Sequence, residues 1–278
     1  MTPQKPVLQR IEPGFLTSVY AIGGFICIIW ILLTPLGLFG KADAIGYAVC
    51  HRIDVRSFHI GVRQLPLCAR CTGQYLGAVL GLGFLWIFGK RRSGTPPKRV
   101  IGLMALLLVF YAVDGINSYF FLDPFLKIFP EMPHLYQPSN VLRLITGTGV
   151  GVVIAMVLYP AFWGAIAPNP DPRPAINGLK IAFVMLGLGM LVDLLILTGS
   201  VYILLPAALI SAGGVLLLLT MVYSIILIML FKKENQFTKL SQIPRYIVAG
   251  FMITMIQIAL FDMIRFIITD TWNGFLFG

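Results

Sequence analysis

The 278-residue chain is 58% hydrophobic and 12% charged, with a mean hydropathy of +0.88, a balance that excludes a soluble globular domain. Its net charge of +10 sits at the ends of apolar runs, where it meets lipid headgroups and sets topology. That placement, with no nucleic-acid-binding motif, argues against DNA or RNA as a partner and for the lipid bilayer.

A membrane-crossing helix needs roughly 20 apolar residues. Seven stretches qualify: 17–39, 71–88, 100–122, 141–167, 176–200, 202–231 and 245–268. The fold class is therefore all-α, a polytopic helical bundle of about seven spans forming a single membrane domain over residues 1–278. Ala42-Asp43-Ala44 has the small-x-small form of a cleavage site. The first run is nevertheless longer than the roughly 7–15 apolar residues of a signal peptide, and Glu12 lies in its leading segment, so it reads as a retained span. Thr198-Gly199-Ser200 is short enough to join two antiparallel helices, and Pro206 is expected to kink the sixth run or mark its start.

Lysine and arginine set the orientation. The amino-terminal tail and the second, fourth and sixth connections carry 13 of them, the opposite face 8. The amino terminus is thus expected inside, in the cytoplasmic (inner) membrane, and the segment 40–72 outside. The connection 123–140 is also expected outside. Pro124, Pro130, Pro133 and Pro138 exclude a long helix there, while Phe125, Leu126, Ile128 and Phe129 favour the headgroup interface.

Cys50, Cys68 and Cys71, three of the four cysteines, fall within the segment 40–72. The two-residue spacing of Cys68 and Cys71 lets both thiolates reach one zinc ion, and Cys50 with His51 or His59 would complete a Cys₃His set. A disulfide and a redox-active Cys-x-x-Cys pair are the other readings of the same residues. Cys27, inside the first span, reads as an inert apolar residue. Arg52, Arg56, Arg63 and Arg70 surround the cysteines, and Arg143 opens the fourth span from the same side. Of these, Arg52, Arg56, Arg70 and Arg143, with the hydroxyls of Ser57 and Thr72 and the start of the second helix, make a candidate site for an anionic or lipid-linked ligand. Solvated loop charges partnered by Asp54 are the plainer reading.

Intramembrane charges cost on the order of 2.5–3.5 kcal/mol, so they are expected to face one another. At 1.5 Å per residue, Asp114 lies about 21 Å and Asp193 and Asp262 roughly 25 Å from the cytoplasmic ends of their helices. With Asn117 and Arg143 they fall at one depth, which suggests a shared polar cavity beneath the cysteines. The alternative is a set of pairs, Asp262 with Arg265 and Asp114 with Arg143. Gly73, Gly77 and Gly81 in the second span, and Gly147 and Gly151 in the fourth, mark faces suited to close helix packing.

Cys50-His51-Arg52, Arg56-Ser57-Phe58, Gly61, Gln64, Pro66 and Cys68-Ala69-Arg70-Cys71-Thr72-Gly73 form a pattern. Together with Asp114-Gly115, Asn117, Ser139-Asn140-Val141-Leu142-Arg143 and Thr146-Gly147, it resembles a family of predicted prokaryotic membrane proteins, domain of unknown function 2085. The resemblance covers roughly residues 47–159. It implies that Cys50, His51, Cys68, Cys71, Asp114 and Arg143 belong to one functional unit, favours His51 over His59, and implies no activity.

The sequence thus points to a zinc-binding membrane protein. In an enzymatic version Asp114 is the candidate general base or metal ligand. Two rivals remain at this stage: a non-catalytic subunit of a larger membrane complex with a disulfide-stapled docking loop, and a proton- or cation-coupled transporter.

Overall fold

The computed structural model describes residues 7–122, 127–128, 135–237 and 242–274. Among the described residues, seven helices are long and apolar enough to cross a membrane. They are α1 (Val7–Leu33), α3 (Ala69–Phe88), α4 (Lys98–Phe120), α5 (Asn140–Ile166), α6 (Leu179–Leu197), α7 (Val201–Leu230) and α8 (Pro244–Thr269). Their outward faces expose Ile, Leu, Val and Phe side chains, as on Phe25, Leu32, Phe110 and Leu194, the surface that a bilayer covers.

The first span stops at Leu33, earlier than residue 39, because Pro35 cannot donate the backbone hydrogen bond that would continue it. A separate helix, α2 (Gly37–Val49), follows after a turn at Gly37, whose φ is +80°. Lys41 on α2 reaches back to the end of α1. Its ammonium donates to the Ile31 carbonyl, to the Thr34 carbonyl at 3.0 Å and to the Thr34 hydroxyl at 2.8 Å. A cation at the C-terminal end of a helix satisfies orphan carbonyls and the macrodipole together. Lys41→Met is therefore expected to lower stability by about 1 kcal/mol, read as a drop in unfolding temperature in detergent.

The loop that follows is folded. A single 3₁₀ turn (Asp54–Arg56) leads into a hairpin of β1 (Ser57–Ile60) and β2 (Arg63–Cys68), turned at Gly61 and Val62 with Gly61 at φ +60°. At the opposite end of the bundle, β3 (Arg92–Gly94) pairs in parallel with β4 (Asp171–Pro174).

Glycine builds the central seam. α3 and α5 approach so closely that a side chain on Gly73 would strike the Leu144 carbonyl, one on Gly147 the Arg70 carbonyl, and one on Gly151 the Gln74 carbonyl. The expected small-residue faces therefore meet each other. Arg70 and Arg143 sit at the top of this seam, which fixes one against the other. α6 and α7 form the expected tight hairpin, with Gly199 at φ +68°. Pro206 lies inside α7, which starts at Val201 and continues through it. The expectation for 123–140 falls largely outside the described residues. Its described end is held by Asn117, whose amide donates to the Tyr136 carbonyl at 2.9 Å and accepts from the Leu135 N–H at 3.1 Å.

Candidate metal and anion site

The sulfurs of Cys50, Cys68 and Cys71 lie within 4.8 Å of one another, the group of metal-ligating side chains that stands out among the described residues. Three elements deliver them. Cys50 caps the end of α2, Cys68 ends β2, and Cys71 sits in the first turn of α3. The Cys50 sulfur accepts backbone N–H bonds from Cys68 at 3.3 Å and Arg52 at 3.5 Å. Arg52 itself sits at φ +51°, an unusual conformation for a non-glycine residue. Cys68 is held well below the ordinary thiol range, because Cys50, Cys71 and His51 all hydrogen-bond its sulfur. The same contact pushes the Cys50 thiol up to about 12.

Neither histidine joins the sulfur triangle. His51 Nδ1 accepts from the Ile53 N–H at 3.0 Å, which leaves Nε2 as the ring nitrogen that donates toward Cys68. His59 is on β1 and pairs with Asp54 at 2.8 Å on the exposed side of the hairpin. Of the expected Cys₃His set, the structure groups the three sulfurs, with His51 hydrogen-bonded to one of them.

Beside the cysteines, Arg56, Arg70 and Arg143 lie close enough to Asp114 and to one another to interact electrostatically. All four are buried, at 3%, 8%, 7% and 1% exposure respectively. Arg70 donates to Asp114 Oδ2 and to the Ser118 hydroxyl at 3.2 Å, while Arg56 donates to the Ser118 carbonyl. Tyr136 donates to Asp114 Oδ1 at 3.0 Å and Thr146 to Oδ2 at 3.4 Å. Arg143 donates to Asn140 Oδ1 at 2.8 Å, and the Asn140 amide reaches the Val55 and Ser57 carbonyls of the loop. Asp114 therefore pairs with Arg70 rather than Arg143, and both its oxygens are engaged, which ill suits a free general base. Tyr119 and Tyr111 lie under Arg56 and Arg70, at 5.4 and 5.6 Å from ring centroid to guanidinium.

Arg52 belongs elsewhere. It pairs with Asp43 at 3.0 Å and donates to the Trp272 carbonyl at 3.2 Å, tying α2 to the chain beyond α8. Ser57 and Thr72 spend their hydroxyls on the Ile53 and Leu67 carbonyls. They are turn-formers rather than anion donors.

Among the described residues, the three acidic side chains expected to share a cavity hydrogen-bond to different neighbours. Asp193 on α6 accepts from the Thr148 hydroxyl on α5 at 2.7 Å. Asp262 on α8 accepts from the Trp30 indole on α1 at 2.7 Å, at the edge of an apolar groove of about 550 Å³. Asp114 and Asn117 belong to α4. Equal depth leaves the direction around each helix axis undetermined, and the carboxylates point to different neighbours. Arg265 lies near enough to Asp262 to act on its charge, and it has further partners. It donates to the carbonyls of Tyr47 and Cys50 at 2.6 Å and of His51 at 3.2 Å, bracing the cysteine turn from the last span.

Sequence reasoning overlooked Arg265 in this role, together with Ser118 and Tyr136. An arginine inside a span was the available signal for the first, since its charge needs local partners. The other two carry no signal that separates them from ordinary polar residues.

Residues 50–157 match the family described as a predicted membrane protein, domain of unknown function 2085. The chain is 28% identical over 118 residues to an uncharacterized protein of Methanocaldococcus jannaschii, a stretch covering 42% of this chain and 66% of that one, just under two thirds of its length. It is also 28% identical over 109 residues to an uncharacterized protein of Methanothermobacter thermautotrophicus, covering 39% of this chain and 83% of that one. No solved structure matches. The segment holding the three cysteines, Asp114 and Arg143 thus falls within the match to this family of predicted membrane proteins, and α6, α7 and α8 lie beyond it.

Proposed function

We propose that this protein binds one zinc ion on Cys50, Cys68 and Cys71 at the extracytoplasmic end of its bundle, beside an arginine site for an anionic or lipid-linked ligand. One observation carries the reading: three sulfurs from three separate elements stand within 4.8 Å of one another. Tetrahedral zinc at about 2.3 Å from each sulfur places neighbouring sulfurs about 3.8 Å apart, so a small contraction fits the ion. The Cys68 thiol, held below the ordinary range by its sulfur and imidazole neighbours, supplies the thiolate form that binds metal, and the two N–H donors on Cys50 hold that sulfur in place beside it. With His51 turned to donate, the fourth position is left for water or a ligand, the arrangement that zinc sites acting on a ligand keep. The excess of Lys and Arg on the opposite face supports the outward placement.

Elemental analysis of full-length protein, purified without chelator or added metal, is expected to give one zinc per chain. Thiol labelling should be slow until a chelator is added. Cys50→Ser and Cys68→Ser should each lose the metal while still eluting as folded protein. Metal-free wild type with two thiols missing from the count would replace this reading with a disulfide.

A further inference from the structure

The three buried arginines around Asp114 carry more charge than their surroundings balance. Asp114 is the carboxylate that meets them, through Arg70, and among the described residues neither Arg56 nor Arg143 has a carboxylate partner. Arg56, Arg70 and Asp114 are the charged groups that act most strongly on Arg143. Cys68 is the other anionic centre nearby, and the reading above commits its sulfur to the metal.

Three guanidinium groups against one carboxylate leave two positive charges in excess, each on a residue less than a tenth exposed. Three of their N–H groups are buried without an acceptor: Nη1 of Arg56, Nε of Arg70 and Nε of Arg143. Buried charge persists where it is paired, and an orphaned arginine N–H is costly. The orphans come from different elements, the 3₁₀ turn, α3 and α5, and the α3–α5 seam holds two of those elements rigidly together.

We propose that Arg56, Arg70 and Arg143 form a binding site for a phosphate monoester group. A dianion with three equivalent oxygens matches both the two-charge excess and the three unfilled donors, and arginine's planar fork suits phosphate oxygens. The same chemistry is offered by the headgroup of a monophosphorylated lipid and by inorganic phosphate. This assignment deepens the anionic-ligand part of the proposed function by naming the group and moving its recognition from Arg52 to the Asp114 cluster. Asp114 has a positioning role: it holds Arg70 while leaving the remaining charge for the ligand.

The test is calorimetric titration of full-length protein in maltoside detergent with inorganic phosphate and, separately, with dodecyl phosphate. Saturable binding of one ligand per chain is expected, weakened at least tenfold in Arg143→Lys, which keeps the charge and loses the fork. Arg63→Gln, an exposed arginine of the same loop paired with Asp43, should bind as wild type does. Much tighter binding of dodecyl phosphate identifies a lipid headgroup, and equal binding identifies free phosphate; either supports the site. No saturable binding of either ligand by wild type overturns it, whatever the folding of the variants. So does an equal loss in Arg63→Gln, which would mean unspecific attraction. Zinc content is measured on the same preparations. Metal without phosphate binding discards this site alone, and phosphate binding without metal discards the metal alone.

Discussion

Gly147→Val is expected to lower stability by about 3 kcal/mol or more and to leave little monodisperse protein after extraction. Its new side chain would meet the carbonyl of Arg70 and the backbone of Gln74, neither of which can swing aside as a flexible side-chain tip can. Relief requires α3 and α5 to separate along the seam, and three other glycines, Gly73, Gly77 and Gly151, are then also pulled out of register. Membrane helices associate mainly through close packing rather than hydrophobic burial, so a seam forced apart loses most of what holds it. Gly83→Ala, on α3 with nothing within 4 Å of the new methyl group, is the control and should be neutral or slightly stabilising. Size-exclusion profiles and thermal unfolding in one detergent read both. Equal stability of the two variants would mean that the seam is loose and does not position Arg70 against Arg143.

The spans were legible because each is a long apolar run, and length alone identifies a helix that crosses lipid. The glycine seam was legible for a related reason: the four-residue spacing puts small residues on one face, whatever the tertiary packing. What failed to show was direction. Asp193 and Asp262 stand at similar depths, yet one turns to Thr148 and the other to Trp30, and no single-helix pattern records which neighbour an azimuth will meet. The hairpin of β1 and β2 was missed because strands of four and six residues, interrupted by Arg63 and Pro66, lack a clear alternation. The cysteine triangle was half visible. The Cys68–Cys71 spacing pointed to a shared centre, whereas the orientation of His51 depends on the Ile53 N–H that faces its ring, a contact on the backbone path through Arg52.

Asp114→Ala is expected to cost about 3–5 kcal/mol, among the largest losses any single polar substitution would cause here. The lost hydrogen bonds to Tyr136 and Thr146 contribute a minor share, at about 0.5–1.5 kcal/mol each. The larger part comes from Arg70, which would stay buried with its counter-ion gone and two further guanidinium groups close by. Arg70→Met combined with Asp114→Leu removes charge and counter-charge together. It should recover most of the loss, because apolar residues of similar volume replace a buried ion pair with little penalty. A double-mutant cycle by equilibrium unfolding in mixed micelles is therefore expected to show strong favourable coupling between the two residues. Additive effects would mean that Arg70 finds other acceptors when Asp114 is lost, and that the carboxylate does not organise the cluster. With strong coupling, Asp114 is the anchor that orients Arg70. The double variant, which keeps Arg56 and Arg143, should then bind phosphate more weakly than wild type without losing it.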